Sequence, residues 1–213
     1  MERLSNNIAT KVASELGLND DNRRVIEYGT FALMQMILSI ILTILFGLLF
    51  HVVYEALIIS FTGSVLRKYS GGVHASTPGI CNFVGIIVCV GQAVLISFFL
   101  SPVINLQLII ILGIIIFAWS YYIIYKLAPV DSASKPIVKQ EKRERMKKGS
   151  IIILSVYLSI TVFLIIYYIN SGEIKLLLYN ICLYSGILWQ VFTITAAGHL
   201  LIGKIDSFLN HIY

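Results

Sequence analysis

The stretch VINLQLIIILGIIIFAWSYYIIY, residues 103–125, holds 23 residues without one Asp, Glu, Lys or Arg. As a helix at about 1.5 Å per residue it reaches about 34 Å, enough to cross about 30 Å of hydrocarbon. A strand of this length would leave its backbone polar groups unsatisfied in lipid, whereas a helix satisfies them internally. The stretch therefore reads as a transmembrane helix. Five further apolar stretches accompany it, at about 29–50, 52–66, 80–100, 150–169 and 176–202. The one at 52–66 is short and carries Glu55, and the last is long enough to tilt or to project beyond the bilayer. This predicts an all-α polytopic membrane helix bundle of about six transmembrane helices. A five-span arrangement, with 52–66 re-entrant, is the competitor.

Composition agrees. Of 213 residues, 58% are hydrophobic and 13% charged, and mean hydropathy is +0.87. Soluble domains carry about a quarter charged residues, so an ordinary soluble fold is excluded and residues 1–213 read as one integral membrane domain. Sixteen Lys and Arg against eleven Asp and Glu give a net +5. Eight of the basic residues lie between Lys126 and Lys148 and four of the other eight near the N-terminus. That clustering reads as juxtamembrane anchoring rather than nucleic-acid binding. With six spans and the N-terminus inside, 15 of the 16 fall in cytoplasmic segments and only Lys175 outside. The positive-inside rule thus predicts a multi-pass protein of the bacterial cell membrane with N-terminus, residues 67–79 and residues 126–149 cytoplasmic.

Residues 1–28 lack the apolar core of a cleavable signal. They place Leu4, Ile8, Val12 and Leu16 four apart, the stripe of an amphipathic helix suited to the membrane surface. Asn19, Asp20, Asp21 and Asn22 end that helix and cap the next. In 126–149, turn formers precede the run KQEKRERMKK, which reads as a solvated helix of mixed sign. Cys89 and Cys182 read as small buried hydrophobes and offer no disulfide framework. No metal site or cofactor is indicated, since only one His and one Cys cluster and structural zinc takes four ligands. His51 and His211 carry no readable signal, and His199 and Lys204 read as snorkelling residues at the end of the last span.

The chemistry-bearing stretch is Arg67-Lys68-Tyr69-Ser70-Gly71-Gly72-Val73-His74-Ala75-Ser76-Thr77-Pro78-Gly79-Ile80-Cys81. It places an imidazole seven residues before a thiol. A nearby base can take the thiol's proton and stabilise the thiolate. An unbroken helix would hold the two about 10 Å apart along its axis, and an extended chain more than about 20 Å apart. Contact therefore requires a fold-back, for which Thr77-Pro78-Gly79 is suited: Thr as N-cap, Pro as first helical residue. Cys81 would then sit in the first turn of the third span, where the helix dipole lowers a thiol's pKa. The amides of Gly71 and Gly72 could approach a ligand as oxyanion donors. These residues alone leave open both a Cys/His pair and a structural thiol beside a solvated imidazole.

The run R-K-Y-S-G-G-V-H-A-x5-C resembles the accessory gene regulator B family, bacterial membrane cysteine endopeptidases that process quorum-sensing propeptides. Arg67, Gly72, His74, Ala75 and Cys81 stand at the matching positions. Ala128-Pro129 and Lys135-Pro136-Ile137 match a second family patch. Members often carry several lysines before that proline, where this chain has Lys135 alone. The resemblance implies Cys81 as nucleophile and His74 as general base. It implies cleavage of the C-terminal tail from a short amphipathic propeptide, with a thioester acyl-enzyme resolved into a thiolactone or lactone. It implies a homodimer in the lipid bilayer. Either Glu27 or Gln35 orients His74 or the Cys/His pair acts with no third member, and Glu55 lies too far along the second span to fit well. Arg67, Lys68 and Lys135 would meet the substrate's acidic part, or the first two would mark the membrane edge. A small transporter or exporter of the peptide, or a noncatalytic scaffold, is the other reading; few polar residues in the spans and the lack of a nucleotide-binding motif count against transport.

Overall fold

The structure, a computed structural model, describes residues 1–73, 75–131, 137 and 139–212. Among them the fold is all-α: eight α-helices, with one isolated bridge between Gly71 and Val130. The chain divides into two compact units, Met1–Leu42 and Thr43–Tyr213.

In the first unit, α1 (Glu2–Glu15) ends near Gly17, whose φ of 62° suits glycine. Leu4 and Leu16 are 52% and 67% exposed, while Ser5, Ala9 and Ala13 are buried. The apolar stripe of α1 is thus left uncovered beside a buried row of small residues, as an amphipathic surface helix requires. The Asn19 side chain caps α2 (Asp20–Leu49), accepting from the Asn22 N–H at 2.9 Å. Arg23 ties the two helices, donating to the Asn6 side-chain oxygen at 2.9 Å and pairing with Asp20 and Glu27.

The second unit is built around α7 (Ile174–Phe192). Leu177, Ile181, Tyr184, Ile187 and Val191 are all 7% exposed or less, and Cys182, Asn180 and Gln190 are buried on its other faces. A helix apolar and buried all round is a central one. It packs on α3 (Val53–Ser70), α5 (Leu106–Leu127) and α6 (Gln140–Ser171). The outer helices present large apolar side chains outward, among them Ile114, Ile115, Phe163 and Ile169. Such a surface is a liability in water and suits lipid. Five helices are long and apolar enough to cross a membrane: α2, α5, α6, α7, and α4 (Pro78–Val94) with the π and 3₁₀ turns that extend it to Val103. The protein is a multi-pass membrane protein.

The second apolar stretch is an unbroken helix rather than a re-entrant loop. Its 18 residues extend about 27 Å. Ile59 and Thr62 meet Gly186, Ser70 meets Gln190 and Gly72 meets Thr193, so α3 runs parallel to α7. Against α6 it is antiparallel: the Tyr157 hydroxyl donates to the Thr62 carbonyl at 2.9 Å, and Tyr69 lies on Gly149. It is not among the five helices above, and it carries Glu55 at one end and Arg67 and Lys68 at the other.

One expectation is corrected. The stretch at 176–202 is two helices, α7 and α8 (Ala196–Ile212), with a break at 193–195. The Thr193 hydroxyl donates to the Gln190 carbonyl and that of Thr195 to the Phe192 carbonyl, each at 2.8 Å. Such local bonds compete with helix propagation. Thr195 then accepts from the Gly198 N–H at 3.2 Å, starting α8 in a new direction. A side chain at Gly198 would collide with the Phe192 carbonyl, so hydropathy persists where the helix cannot.

The close approach of α3 and α7 gives a direct test. A Cβ at Gly186 would lie 2.8 Å from the Ile59 carbonyl oxygen and from the Thr62 Cβ, whereas one at Gly85 would meet nothing within 4 Å. Gly186→Ala is expected to cost about 1–3 kcal/mol through overpacking, while Gly85→Ala gains about 0.5–1 kcal/mol of helix preference. Thermal unfolding of the two variants in detergent, read by circular dichroism, checks the opposite signs.

Candidate active site

Thr77, with extended backbone, is the N-cap of α4; its hydroxyl oxygen accepts from the Ile80 N–H at 3.3 Å. Pro78 occupies the first helical position, where its missing N–H costs nothing. The Cys81 N–H donates to the Thr77 carbonyl at 3.1 Å, closing the first turn with the half-buried thiol on it. The helix start expected of Thr77-Pro78-Gly79 is therefore present. The positive end of the helix dipole acts on this thiol.

Arg67, half-buried near the end of α3, lies within electrostatic reach of the Cys81 thiol. Its guanidinium also donates to the Val73 carbonyl, one residue before His74. One cation thus stands beside the nucleophile candidate and fixes the chain leading to the base candidate. Lys68, the next residue, is exposed, with its ammonium 5.7 Å from the centre of the Tyr69 ring. His74 and Lys135 lie outside the described residues.

Residues 70–73 are stitched to two distant parts of the chain. The Gly72 N–H donates to the Val130 carbonyl at 3.3 Å, and the Val130 N–H donates to the Ser70 carbonyl at 3.0 Å. The Val73 N–H donates to the Thr193 carbonyl at 3.3 Å. Gln190, 1% exposed, donates from its amide nitrogen to the Ser70 hydroxyl at 2.9 Å and to the Gly71 carbonyl at 2.7 Å. Both glycines are required by space and by angle: a Cβ at Gly71 would sit 2.0 Å from the Val130 oxygen, and φ is 69° and 133° at Gly71 and Gly72. The Gly71 amide donates to the Arg67 carbonyl and the Gly72 amide to Val130. Neither is free to act as an oxyanion donor in this arrangement; the pair closes the loop instead.

Val130 adjoins Ala128-Pro129, so the two patches of the family resemblance meet in space, and both loops lie at one end of the unit. That segment is held in turn by Arg143, which pairs with Asp131 at 2.6 Å and donates to the Pro129 carbonyl. Beside Tyr69, an open groove of about 460 Å³ is lined by Glu141, Glu144, Arg145, Lys148, Gly149, Ile152 and Ile153.

Of the other sequence candidates, Glu27 pairs with Arg23 at 3.2 Å, and both Glu27 and Gln35 are half-buried on the part of α2 that belongs to the first unit. Glu55 lies in the first turn of α3, within electrostatic reach of Tyr179 and Cys182, at the far end of that helix from Arg67.

Three partners of the loop escape sequence reasoning. Gln190 was detectable as a polar residue inside an apolar stretch, but its partners were not. Asp206 and Asn210 on α8 bind Ser76: the aspartate accepts from the Ser76 N–H at 3.0 Å and from its hydroxyl at 2.9 Å, and Asn210 donates to that hydroxyl at 2.9 Å. Asp206 is the only acidic residue after Glu173, yet nothing in its spacing points to residue 76.

Fold and site together define a polytopic membrane protein with a thiol at a helix N-terminus, beside an arginine and a pinned glycine loop. The accessory gene regulator B profile matches residues 5–194, and the chain belongs to that family. A protein described as AgrB-like protein 2 from Clostridium perfringens (strain 13 / Type A) is 44% identical over 214 residues, covering 100% of this chain and 99% of that protein. Another described as AgrB-like, from Clostridium perfringens (strain SM101 / Type A), is 44% identical over 216 residues with the same coverage. No solved structure matches the chain significantly.

Gln190→Leu removes both hydrogen bonds that this side chain gives the loop and leaves the Gly71 carbonyl with only the 3.4 Å bond from the Ser70 hydroxyl, at a cost of about 1–3 kcal/mol. Faster hydrogen exchange at the Gly72 and Val73 amides, with the α5 core unchanged, is the expected result and is read by mass spectrometry.

Proposed function

We propose that this protein is a membrane cysteine endopeptidase that removes the C-terminal tail of a quorum-sensing propeptide. Family membership supports a role in propeptide processing, and the observation that carries the finer reading is Cys81 in the first turn of α4 with Arg67 beside it. The thiolate is the nucleophilic form of a cysteine. His74, seven residues earlier in the sequence, serves as the base.

The Cys81 sulfur attacks the scissile carbonyl, and the C–N bond breaks as the departing amine takes the proton held by His74. The dipole of α4 favours the oxyanion that forms on the way. A thioester then joins Cys81 to the propeptide. An internal thiol or hydroxyl of the propeptide attacks that thioester, releases Cys81 and closes a thiolactone or lactone. Because the attacking group is tethered, proximity favours it over water. A thioester lies uphill of a peptide bond, so removal of the tail or export of the ring must draw the reaction forward.

Positive-inside bias places this loop on the cytoplasmic side. There Arg67, Lys68 and the basic residues Arg145 and Lys148 of the groove beside Tyr69, which Glu141 and Glu144 also line, would meet an acidic peptide tail, and Lys135 is the further basic residue that the family resemblance assigns to this role. Glu27 and Gln35 remain candidates for orienting His74, and a homodimer is the assembly the family implies. Transport of the peptide is the competing reading, and it makes no use of a thiol in this position.

Purified protein incubated with a short amphipathic, acid-tailed peptide, sought among the reading frames beside this gene, should yield a tail-loss species by mass spectrometry. Cys81→Ala and His74→Ala should each abolish that species while inserting in the membrane normally. Cleavage that persists in Cys81→Ala would overturn the mechanism.

A further inference from the structure

The segment between Val73 and Cys81 is held at two points. At one end the Val73 carbonyl accepts from Arg67, and its N–H donates to Thr193. At the other, Ser76 is held by Asp206 and Asn210, which lie 130 and 134 residues further along the chain. Ser76 immediately precedes the N-cap Thr77, and His74 stands in sequence between the two held points. The second attachment comes from α8, which begins after the stretch matched by the family profile ends at 194.

The arrangement of α8 fits this attachment. Gly198, Ile202, Asp206 and Asn210 are four apart and share one face. Gly198 packs on the Phe192 and Thr193 backbone, Ile202 is 7% exposed, and Asp206 and Asn210 hold Ser76. Two residues on, and so about 200° around the helix, Leu200, Lys204 and Phe208 form an exposed face. Gly198 and Ile202 are the buried part of this face, and the half-buried Asp206, the one acidic residue of the helix, reaches the loop with the exposed Asn210.

We propose that α8 is a clasp on the nucleophile's turn, with Asp206 the positioning residue that holds Ser76, and through it Thr77 and Cys81, in the reactive arrangement. Its carboxylate accepts two hydrogen bonds from one residue, which fixes both the backbone and the side chain of Ser76. Asn210 donates to the same hydroxyl from one turn further on, so the serine oxygen is both donor and acceptor. Asp206 does not contact Cys81 in this scheme; it sets the entry to α4, and so keeps the thiol at the dipole and beside Arg67. The clasp deepens the peptidase reading and rests on it.

The test uses iodoacetamide on the full-length protein, with alkylation of Cys81 followed by peptide mass spectrometry across pH, and therefore needs no propeptide. Arg67 from α3 and Asp206 from α8 are the charged groups the described residues bring to this turn. Asp206→Ala is expected to move the midpoint of the Cys81 profile up and to slow alkylation at pH 7 about fivefold, the equivalent of one net hydrogen bond. Asp206→Asn, whose side-chain oxygen can still accept from Ser76, should stay within about twofold of the parent. Loss of a negative charge alone would move the midpoint down, so the sign separates positioning from simple electrostatics. An unchanged or lowered midpoint in Asp206→Ala, or an Asp206→Asn profile equal to that of Asp206→Ala, overturns the clasp. Should Asp206→Ala fail to fold, Ser76→Ala at an exposed position decides: a raised midpoint supports the clasp and an unchanged one overturns it. Failure of propeptide cleavage bears on the peptidase reading and leaves this measurement standing.

Discussion

Backbone polar groups at the end of a membrane helix must be paired, and the loop leaving α3 pairs most of them with remote chain, Arg67 taking the Gly71 amide and the Val73 carbonyl. Ser70, Gly71, Gly72 and Val73 find partners at Val130, Gln190 and Thr193. Unpaired, such groups near the bilayer edge would cost free energy comparable to several lost hydrogen bonds. That requirement draws the chain after α5 and the end of α7 to one point, and the two glycines are what lets the three backbones approach. The turn bearing Cys81 takes its position from this junction, since Arg67 and the Val73 carbonyl connect the two.

The bundle serves the same end. With α7 at its centre, small residues admit close contacts: Gly186 against α3, Gly113 beneath the Tyr184 ring and Gly149 against Tyr69. Hydrophobic burial gives little preference between lipid and protein here, so packing and a few interhelical hydrogen bonds must specify the arrangement. Tyr157 to the Thr62 carbonyl and Tyr184 to the Ile109 carbonyl are two such bonds, each joining helices far apart in sequence. They fix the register of α3 against α6 and of α5 against α7, and with it the height at which Ser70 meets Gln190.

Much of this was legible in the sequence, for reasons that can be stated residue by residue. Charge-free runs of membrane length identify the spans, because lipid tolerates little else. Thr77-Pro78 announced a helix start three residues before Cys81, since capping is local chemistry. The break at 193–195 was not legible: its residues are apolar or nearly so, and the turn depends on threonine hydroxyls bonding backward. Gln190 and Asp206 were visible as residues but not as partners of residues 70 and 76, because hydropathy and spacing carry no information about contacts over 120 residues. The second unit's architecture, not any motif, brings them there.

The order in which the chain is made gives the junction a further meaning. Cys81 and its helix leave the ribosome early, whereas Gln190 lies 120 residues beyond the Ser70 hydroxyl it binds, and Asp206 lies 130 beyond Ser76. The surroundings of the thiol are therefore completed only once α7 and α8 have been made. A chain truncated before α7 carries Cys81 without the residues that pin the loop before it, so that loop cannot take its final form until more than 100 further residues have followed it.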